Sequence, residues 1–460
     1  MKNDLTCFFK PKSIAIIGVS RNEKKAGHGI LKNVLWSFPH KEFIFPINPK
    51  ANEILGLKVY SSLLQIPVDV DLVIMFVSPS LIPSLLEECY QKKARGVIIE
   101  SAGFAETGLE GKSIQEEIKK LGKEYGIRIW GGNCMGTVTD ELITTFEPIA
   151  AKTRKKGNIS IVGQSGYFSG AVILQLFTER YLGIRKSCSI GNRIDINECD
   201  LLEDFMEDER TEIGAFYLEG LSNPRKFLKL ARKFTQTKPL ICLLGGQSEV
   251  GKKAALSHTS STAAGSPKLL EDILKQSRII QVSEFGEFFN VVEAFSKLPA
   301  PMGNKLAIVT ITGAGGVIGA DLAAKYNVEI PELSEATTEK LQTVFPSWMP
   351  PKNPVDSWPA FELHGLDKAL RQIIPILFQS GEIDMIVLMI AAMQVANSFN
   401  PQIIYEMQVH GKPIVTYFVG DSNLKNEWTN KIRSDGGVVY EGIDTAIKVL
   451  AMLISHYRKD

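Results

Sequence analysis

The sequence predicts an α/β protein in which helix-covered parallel sheets follow one another in three units. Three observations carry that expectation. Short, near-continuous apolar runs recur, among them Ser13-Ile14-Ala15-Ile16-Ile17-Gly18 and Gly96-Val97-Ile98-Ile99. Such runs suit parallel strands buried on both faces, which need no alternation of polar and apolar residues. Helix-length amphipathic stretches, such as 81–93 and 110–125, lie between them and reach a glycine before the next strand, as βαβ crossovers do. The chain also echoes itself: residues 212–218 correspond to 382–388, and Lys238-Pro239-Leu240-Ile241 to Lys412-Pro413-Ile414-Val415.

The first unit opens at Ser13, continues through apolar runs at 71–77 and 96–99, and closes near residue 150. A basic, polar link, 152–157, leads to the second unit, which opens at Asn158-Ile159-Ser160-Ile161-Val162-Gly163. The third opens at Lys305-Leu306-Ala307-Ile308-Val309-Thr310, after the break Pro299-Ala300-Pro301-Met302-Gly303. The second and third read as two copies of one flavodoxin-like fold, with boundaries expected at 1–150, 151–298 and 299–460. After Pro413 one more strand (437–440) and a helix (443–457) are expected.

Composition narrows the function classes. A chain of 460 residues with 44% hydrophobic and 22% charged residues is ordinary globular material, enough for about three domains. Lys and Arg number 52 against 51 Asp and Glu, so no charge excess points to nucleic acid or a membrane surface. No apolar run approaches the roughly 18 residues of a membrane span, and a cytoplasmic protein is expected. Six cysteines at 7, 89, 134, 188, 199 and 242 include no CxxC pair, so neither a disulfide framework nor a zinc cluster is expected. His28, His40, His364, His410 and His456 show no metal-ligand spacing.

Chemistry-bearing residues cluster where strands end, and in open parallel sheets ligands collect at the carboxyl ends of strands. Glycine turns follow the first strands of the two copies, Gly163-Gln164-Ser165-Gly166 and Thr312-Gly313-Ala314-Gly315-Gly316. Each can present backbone N–H groups and a helix N-terminus to an anion, or simply be a tight βα turn. In the first unit the turn Gly18-Val19-Ser20-Arg21, with lysines following, reads as a phosphate-binding turn for a nucleotide-like ligand. It lacks G-x-G-x-x-G spacing, which argues against a nicotinamide or flavin dinucleotide. Asn48-Pro49-Lys50 and Val77-Ser78-Pro79 also follow strands of that unit. Glu219 ends the strand at 215–218, and His258 is expected on the loop after the next strand, among the small residues of 257–265. Imidazole is nucleophilic at neutral pH, and a carboxylate accepting one ring N–H would leave the other nitrogen for phosphorus. The alternative is a structural histidine at a loop or helix start.

These motifs, taken in order through nearly the whole chain, resemble the α subunit of the ADP-forming acyl-CoA synthetases, relatives of succinyl-CoA synthetase. The resemblance implies a Rossmann-like CoA-binding domain followed by two flavodoxin-like ligase domains. It implies that His258 is a phosphohistidine, Glu219 its orienting carboxylate, and Gln164, Ser165 and Gly166 the phosphate cradle. Coenzyme A would lie along Gly18, Val19, Ser20, Arg21, Lys50, Val77, Ser78, Pro79 and Ser101. Asn133, in Gly131-Gly132-Asn133-Cys134-Met135-Gly136, and Asn192 and Asp195, in Gly191-Asn192-Arg193-Ile194-Asp195, would line the substrate loops. The implied reaction interconverts acyl-CoA, phosphate and ADP with acid, CoA and ATP. ADP or ATP with magnesium would sit on a separate ATP-grasp β subunit, giving a heteromer of the α2β2 kind, with no permanently bound cofactor and no metal on this chain. Ser260, Gly163 and Gly132 depart from the family pattern, and a non-catalytic CoA-binding or regulatory protein is the alternative reading. A dinucleotide-dependent oxidoreductase would account for the first unit alone. Asp356 lies in a segment resembling a recurring family one, with no chemical role assigned.

Overall fold

The computed structural model describes residues 4–146, 155–258, 267–393 and 399–458. Five apolar runs form the first sheet: β1 (Ile14–Ile17), β2 (Ile44–Ile47), β3 (Leu72–Met75), β4 (Gly96–Ile99) and β5 (Arg128–Gly131). Every pair is parallel and the order is β2-β1-β3-β4-β5. All residues of β1 to β4 are buried, which explains why these strands read as continuous apolar segments.

The second sheet comprises β6 (Thr137–Thr139), β7 (Lys156–Gly163), β8 (Ile184–Ser189), β9 (Ile213–Leu218), β10 (Leu240–Leu244) and β11 (Ile280–Val282). Its order is β11-β10-β9-β7-β8-β6, parallel except for the antiparallel edge β6. The third contains β12 (Leu306–Thr310), β13 (Val355–Asp356), β14 (Met385–Ala392), β15 (Ile414–Gly420) and β16 (Val438–Tyr440), in the order β13-β12-β14-β15-β16. Leaving aside β6, all three sheets run 2-1-3-4-5 in their own strand order, the flavodoxin-like order, in which ligands bind where the order reverses between strands 1 and 3.

Helix boundaries follow from local chemistry. Helix Glu198–Glu207 starts with a capping box, Asn197 accepting from the Cys199 N–H and Asp200 accepting from the Asn197 N–H. Helix Leu109–Tyr125 ends at Gly126 in the left-handed conformation. Helix Pro224–Phe234 combines Asn223 as cap with proline in its first turn. No helix among the described residues is long and apolar enough to cross a membrane.

These sheets are distributed over two compact units, residues 1–178 with 182–283, and residues 179–181 with 284–460. The expected boundary near 150 falls inside the first unit, because one hydrophobic core runs from Phe8 of helix Thr6–Phe9 and from Ile16 and Trp130 of the first sheet to Val162, Cys188 and Phe216 of the second. Trp130 is fully buried against Phe8 and Phe9, and its indole N–H donates to the Ser189 carbonyl at 2.6 Å. Within the second unit Glu293, fully buried, faces Arg180 at 2.8 Å, Lys297 at 3.1 Å and Arg433 at 3.6 Å. Burial pushes the Lys297 and Arg433 groups below their ordinary values, against the pull of Glu293.

Replacing Trp130 with alanine removes the packing shared by both sheets and strands the Ser189 carbonyl. The expected cost is about 3–5 kcal/mol in chemical denaturation followed by circular dichroism. A loss below about 1 kcal/mol would show that the sheets are joined by other contacts.

Candidate functional site

In the first sheet the order reverses between β1 and β3, and the expected CoA residues gather there. Gly18 follows β1 with φ +97°, and a Cβ at this position would collide with the Phe76 carbonyl just beyond β3 and lie 3.1 Å from Val77 Cγ1. Glycine therefore lets the two turns touch. Asn48 donates to the Val19 carbonyl at 2.6 Å, and its side-chain oxygen accepts from the Lys50 N–H at 2.8 Å. Arg21 Nε donates to the Glu53 carbonyl at 3.3 Å. Arg21, Lys50 and Ser78 are exposed, which leaves two cations bordering the crevice. Ser101 follows Glu100 at the end of β4. Its hydroxyl is buried and has no hydrogen-bond partner among the described residues.

The second sheet reverses between β7 and β9, where Gln164 and Glu219 meet. Gln164 N–H donates to the Tyr217 carbonyl at 3.1 Å, and Glu219 N–H donates to Gln164 Oε1 at 2.9 Å. Gln164 is 1% exposed, and its Nε2 has no hydrogen-bond partner among the described residues. With the side-chain oxygen already accepting, that nitrogen is a buried donor lacking an acceptor. Ser165 and Gly166 follow it directly into helix Gly166–Thr178, whose N-terminus carries partial positive charge.

Two turns from the neighbouring sheets close around this point. A Cβ on Gly166 would lie 3.2 Å from Met135, and Met135 N–H donates to Ser189 Oγ at 2.9 Å. Asn133 has φ +53° and donates its N–H to the Ser101 carbonyl at 2.8 Å. Asn192 N–H donates to the Gly132 carbonyl at 2.8 Å, while its amide donates to Glu106 at 2.6 Å and Gln115 at 3.1 Å. Burial alone would raise the Glu106 carboxyl, but N–H donors from Gly103 and Phe104 and the Asn192 amide hold it below its ordinary range.

Asn133 and Asn192 are therefore held at the Ser101 turn, which Met135 joins to Gly166, whereas Asp195 lies apart from it. The chain runs antiparallel beside β5, with the N–H groups of Ile194 and Ile196 donating to Gly131 and Ile129. Arg193 turns through a left-handed backbone at φ +57°, and the chain then passes β5 toward the amino end of the strand, taking Asp195 with it. There it accepts from Arg128 Nε at 2.7 Å and from the Ile129 N–H at 3.0 Å.

His258 stands not on a loop but as the final residue of helix Glu249–His258, which the Ser248 hydroxyl helps to start by accepting from the Gly251 N–H. The helix packs on the Ala105–Thr107 turn of the first sheet. The His258 side chain and residues 259–266, Ser260 included, lie outside what the structure describes. In the second unit, the turn at 312–316 follows β12, Thr312 capping helix Gly313–Lys325, and Asp356 ends β13.

All six cysteines are free and buried, and burial pushes their thiols up, to about 12 for Cys7 and Cys242. They serve as small apolar residues rather than nucleophiles. No metal-ligand cluster is present among the described residues.

Two carboxyl-bearing or carboxyl-holding residues escape a sequence reading. Tyr217 donates to Glu219 Oε1 at 3.0 Å. Glu100 is 4% exposed at the carboxyl end of β4, and burial raises its carboxyl well above the ordinary range, the Phe146 N–H offsetting this only in part. The one signal in the sequence was position, since both stand at or just beside strand ends.

Comparison with known proteins places these features in context. The family description "CoA binding domain" matches residues 12–140, and "Succinyl-CoA ligase like flavodoxin domain" matches 156–295. The acetate–CoA ligase (ADP-forming) I subunit alpha of Pyrococcus furiosus is 34% identical over 98% of this chain and 97% of its own. The acetate–CoA ligase (ADP-forming) II of Archaeoglobus fulgidus is 34% identical over 99% of this chain, which spans 67% of that relative. This chain spans only 48% of the acetate–CoA ligase (ADP-forming) of Methanocaldococcus jannaschii, at 41% identity over 75% of its own residues. The acetyl-coenzyme A synthetase 1 of Ca. Korarchaeum cryptofilum, solved with phosphate and ADP, superposes with a TM-score of 0.88. It is 27% identical, with 99% of this chain and 97% of that one covered.

Glu100 supplies a pH test. A carboxyl raised by burial contributes its stability fully below its ordinary 4.5 and loses it as pH climbs toward the raised value. Glu100→Gln cannot ionise, so in thermal melts its stability relative to the parent should improve steadily from about pH 4 to about pH 8. A difference that does not change with pH would show that burial does not perturb this carboxyl.

Proposed function

Since the chain belongs to the ADP-forming acetate–CoA ligases, we propose that it is the α subunit of an ADP-forming acyl-CoA synthetase and that His258 carries a phosphoryl group between two reaction sites. The observation that supports this most is the buried Gln164 Nε2 donor, held beside Glu219 at the reversal point of the second sheet. A phosphoryl oxygen is the acceptor that this place lacks, and the N-terminus of helix Gly166–Thr178 favours its charge.

In the first step a phosphate oxygen attacks the acyl carbonyl carbon of acyl-CoA. The C–S bond breaks, the CoA thiolate leaves and takes up a proton, and an acyl phosphate forms. Coenzyme A lies along Gly18 to Arg21, Lys50, Val77 to Pro79 and Ser101, its phosphates met by the exposed Arg21 and Lys50 and its acyl end near the buried Ser101 hydroxyl. Asn133 and Asn192 border the acyl group, while Asp195 acts indirectly by holding the Asn192 loop through Arg128.

In the second step an imidazole nitrogen of His258 attacks phosphorus and the bond to the carboxylate oxygen breaks, releasing the acid. Glu219 accepts the other ring N–H, and Gln164, Ser165 and Gly166 donate to the transferring oxygens. Because the charge is already on the phosphoryl group, positioning and fixed dipoles do more than proton transfer. Transfer to ADP, with its magnesium, is left to an ATP-grasp partner subunit. Two relatives named as alpha subunits support a heteromer. Acetate is the first acid to test.

Incubating the chain with acetyl-CoA and labelled phosphate should place acid-labile phosphate on His258. His258→Asn should take none, and Glu219→Gln should label on the order of 10²-fold more slowly. Gln164→Glu keeps an oxygen for the Glu219 N–H but loses the donor, and should weaken phosphate binding by about tenfold or more. A parent chain that stays unlabelled while binding CoA would favour the non-catalytic, CoA-binding reading.

A further inference from the structure

Tyr217 and Glu219 are two residues apart at the end of β9, so both side chains leave the strand on one face. The Tyr217 hydroxyl donates to Glu219 Oε1 at 3.0 Å. Its ring stacks on Phe168 with centroids 4.7 Å apart and planes 24° from parallel. Phe168 is buried in the first turn of helix Gly166–Thr178, two residues beyond Gly166. One phenol thus touches the element that would cradle phosphate and the carboxylate that would orient the histidine.

The space for this pair is provided by Gly245, just past β10. A Cβ there would lie 2.9 Å from the Tyr217 hydroxyl and 3.2 Å from Glu219 Cγ, so a larger residue would press on both groups. Burial, reinforced by the Glu219 charge, raises the Tyr217 phenol above its ordinary value. The hydroxyl therefore keeps its proton across the working range and remains a donor.

We propose that Tyr217 is the positioning residue for Glu219: its hydroxyl pins Oε1, which fixes the carboxylate plane and the direction in which Oε2 meets the imidazole. The inference rests on the role given to Glu219 above. Gln164 holds the Glu219 backbone through one hydrogen bond, and Tyr217 holds the carboxylate through another. Neither alone fixes the position of Oε2, since the glutamate side chain turns about three bonds between those anchors.

The test is the rate at which the full chain acquires acid-labile phosphate on His258 from acetyl-CoA and inorganic phosphate, measured over a range of both substrate concentrations in the parent and in Tyr217→Phe. The variant should label about tenfold more slowly at saturation. Its half-saturating concentrations of both substrates should be unchanged, so the loss falls on the rate of transfer and not on binding. In a Glu219→Gln background Tyr217→Phe should cost nothing further, as expected for two residues acting as one unit. Phe168→Leu disturbs the stacking but keeps the hydroxyl, so it should lower the melting temperature and cost less in labelling rate than Tyr217→Phe does. If the parent labels and Tyr217→Phe matches it in rate, the inference is overturned while the proposed function stands. If the parent takes no label, both fall together.

Discussion

The site depends first on how residue 164 is held. Its backbone N–H donates into the end of β9 and its side-chain oxygen accepts the next available N–H of the same strand end, at 3.1 Å and 2.9 Å. Turning the buried amide over would leave the Glu219 N–H facing another N–H group, and an unsatisfied buried donor costs about 1–3 kcal/mol. The direction of Nε2 is therefore set by the fold rather than by a ligand. The same two bonds bring the N-terminus of helix Gly166–Thr178 beside Glu219, so donor, dipole and carboxylate are fixed in advance of any anion.

A second constraint is the union of the first two sheets. Neither sheet alone supplies the candidate site residues: Ser101 and Asn133 come from one, Gln164, Asn192 and Glu219 from the other. Trp130 and its shared core supply the cohesion, whereas the ion pairs supply register. The Arg128 and Asp195 pair, 29% and 36% exposed, is too open to add much stability. What it does is anchor the segment that follows Asn192 alongside β5, while the Asn192 amide reaches Glu106. Arg193, paired at 3.2 Å with the fully buried Glu198 and donating to the Gly220 carbonyl at 2.9 Å, links the same loop to the segment just after Glu219.

The parts of this arrangement that could be read in the sequence are those with a strong local cause. Ile14–Ile17 and Gly96–Ile99 announce strands because both faces are buried, and turns such as Gly18 and Gly163 to Gly166 announce themselves by composition. Strand order then follows from the repeated β-α alternation, and it brings Gln164 and Glu219 together although 55 residues separate them. What sequence does not show is direction within a segment. Asn192 and Asp195 look equivalent in one motif, yet the turn at Arg193 and the pairing that follows place Asn192 beside Gly132 and Asp195 beside Ile129. His258 looks like a loop residue because of the small residues that follow it, but the run from Glu249 through Ala254 and Ala255 has enough helix preference to carry helix up to it. Tyr217 and Glu100 were hidden for a different reason. A tyrosine and a glutamate at strand ends are common, and only the distance to Glu219 or the degree of burial separates them from ordinary residues.

Crystals of the chain soaked in inorganic phosphate would examine the Gln164 arrangement most directly. An oxygen of the bound anion should lie within about 3.2 Å of Gln164 Nε2, at the N-terminus of helix Gly166–Thr178, with the Glu219 N–H still donating to Oε1. Phosphate found only elsewhere, or a Gln164 amide turned so that its oxygen faces the anion, would contradict the account.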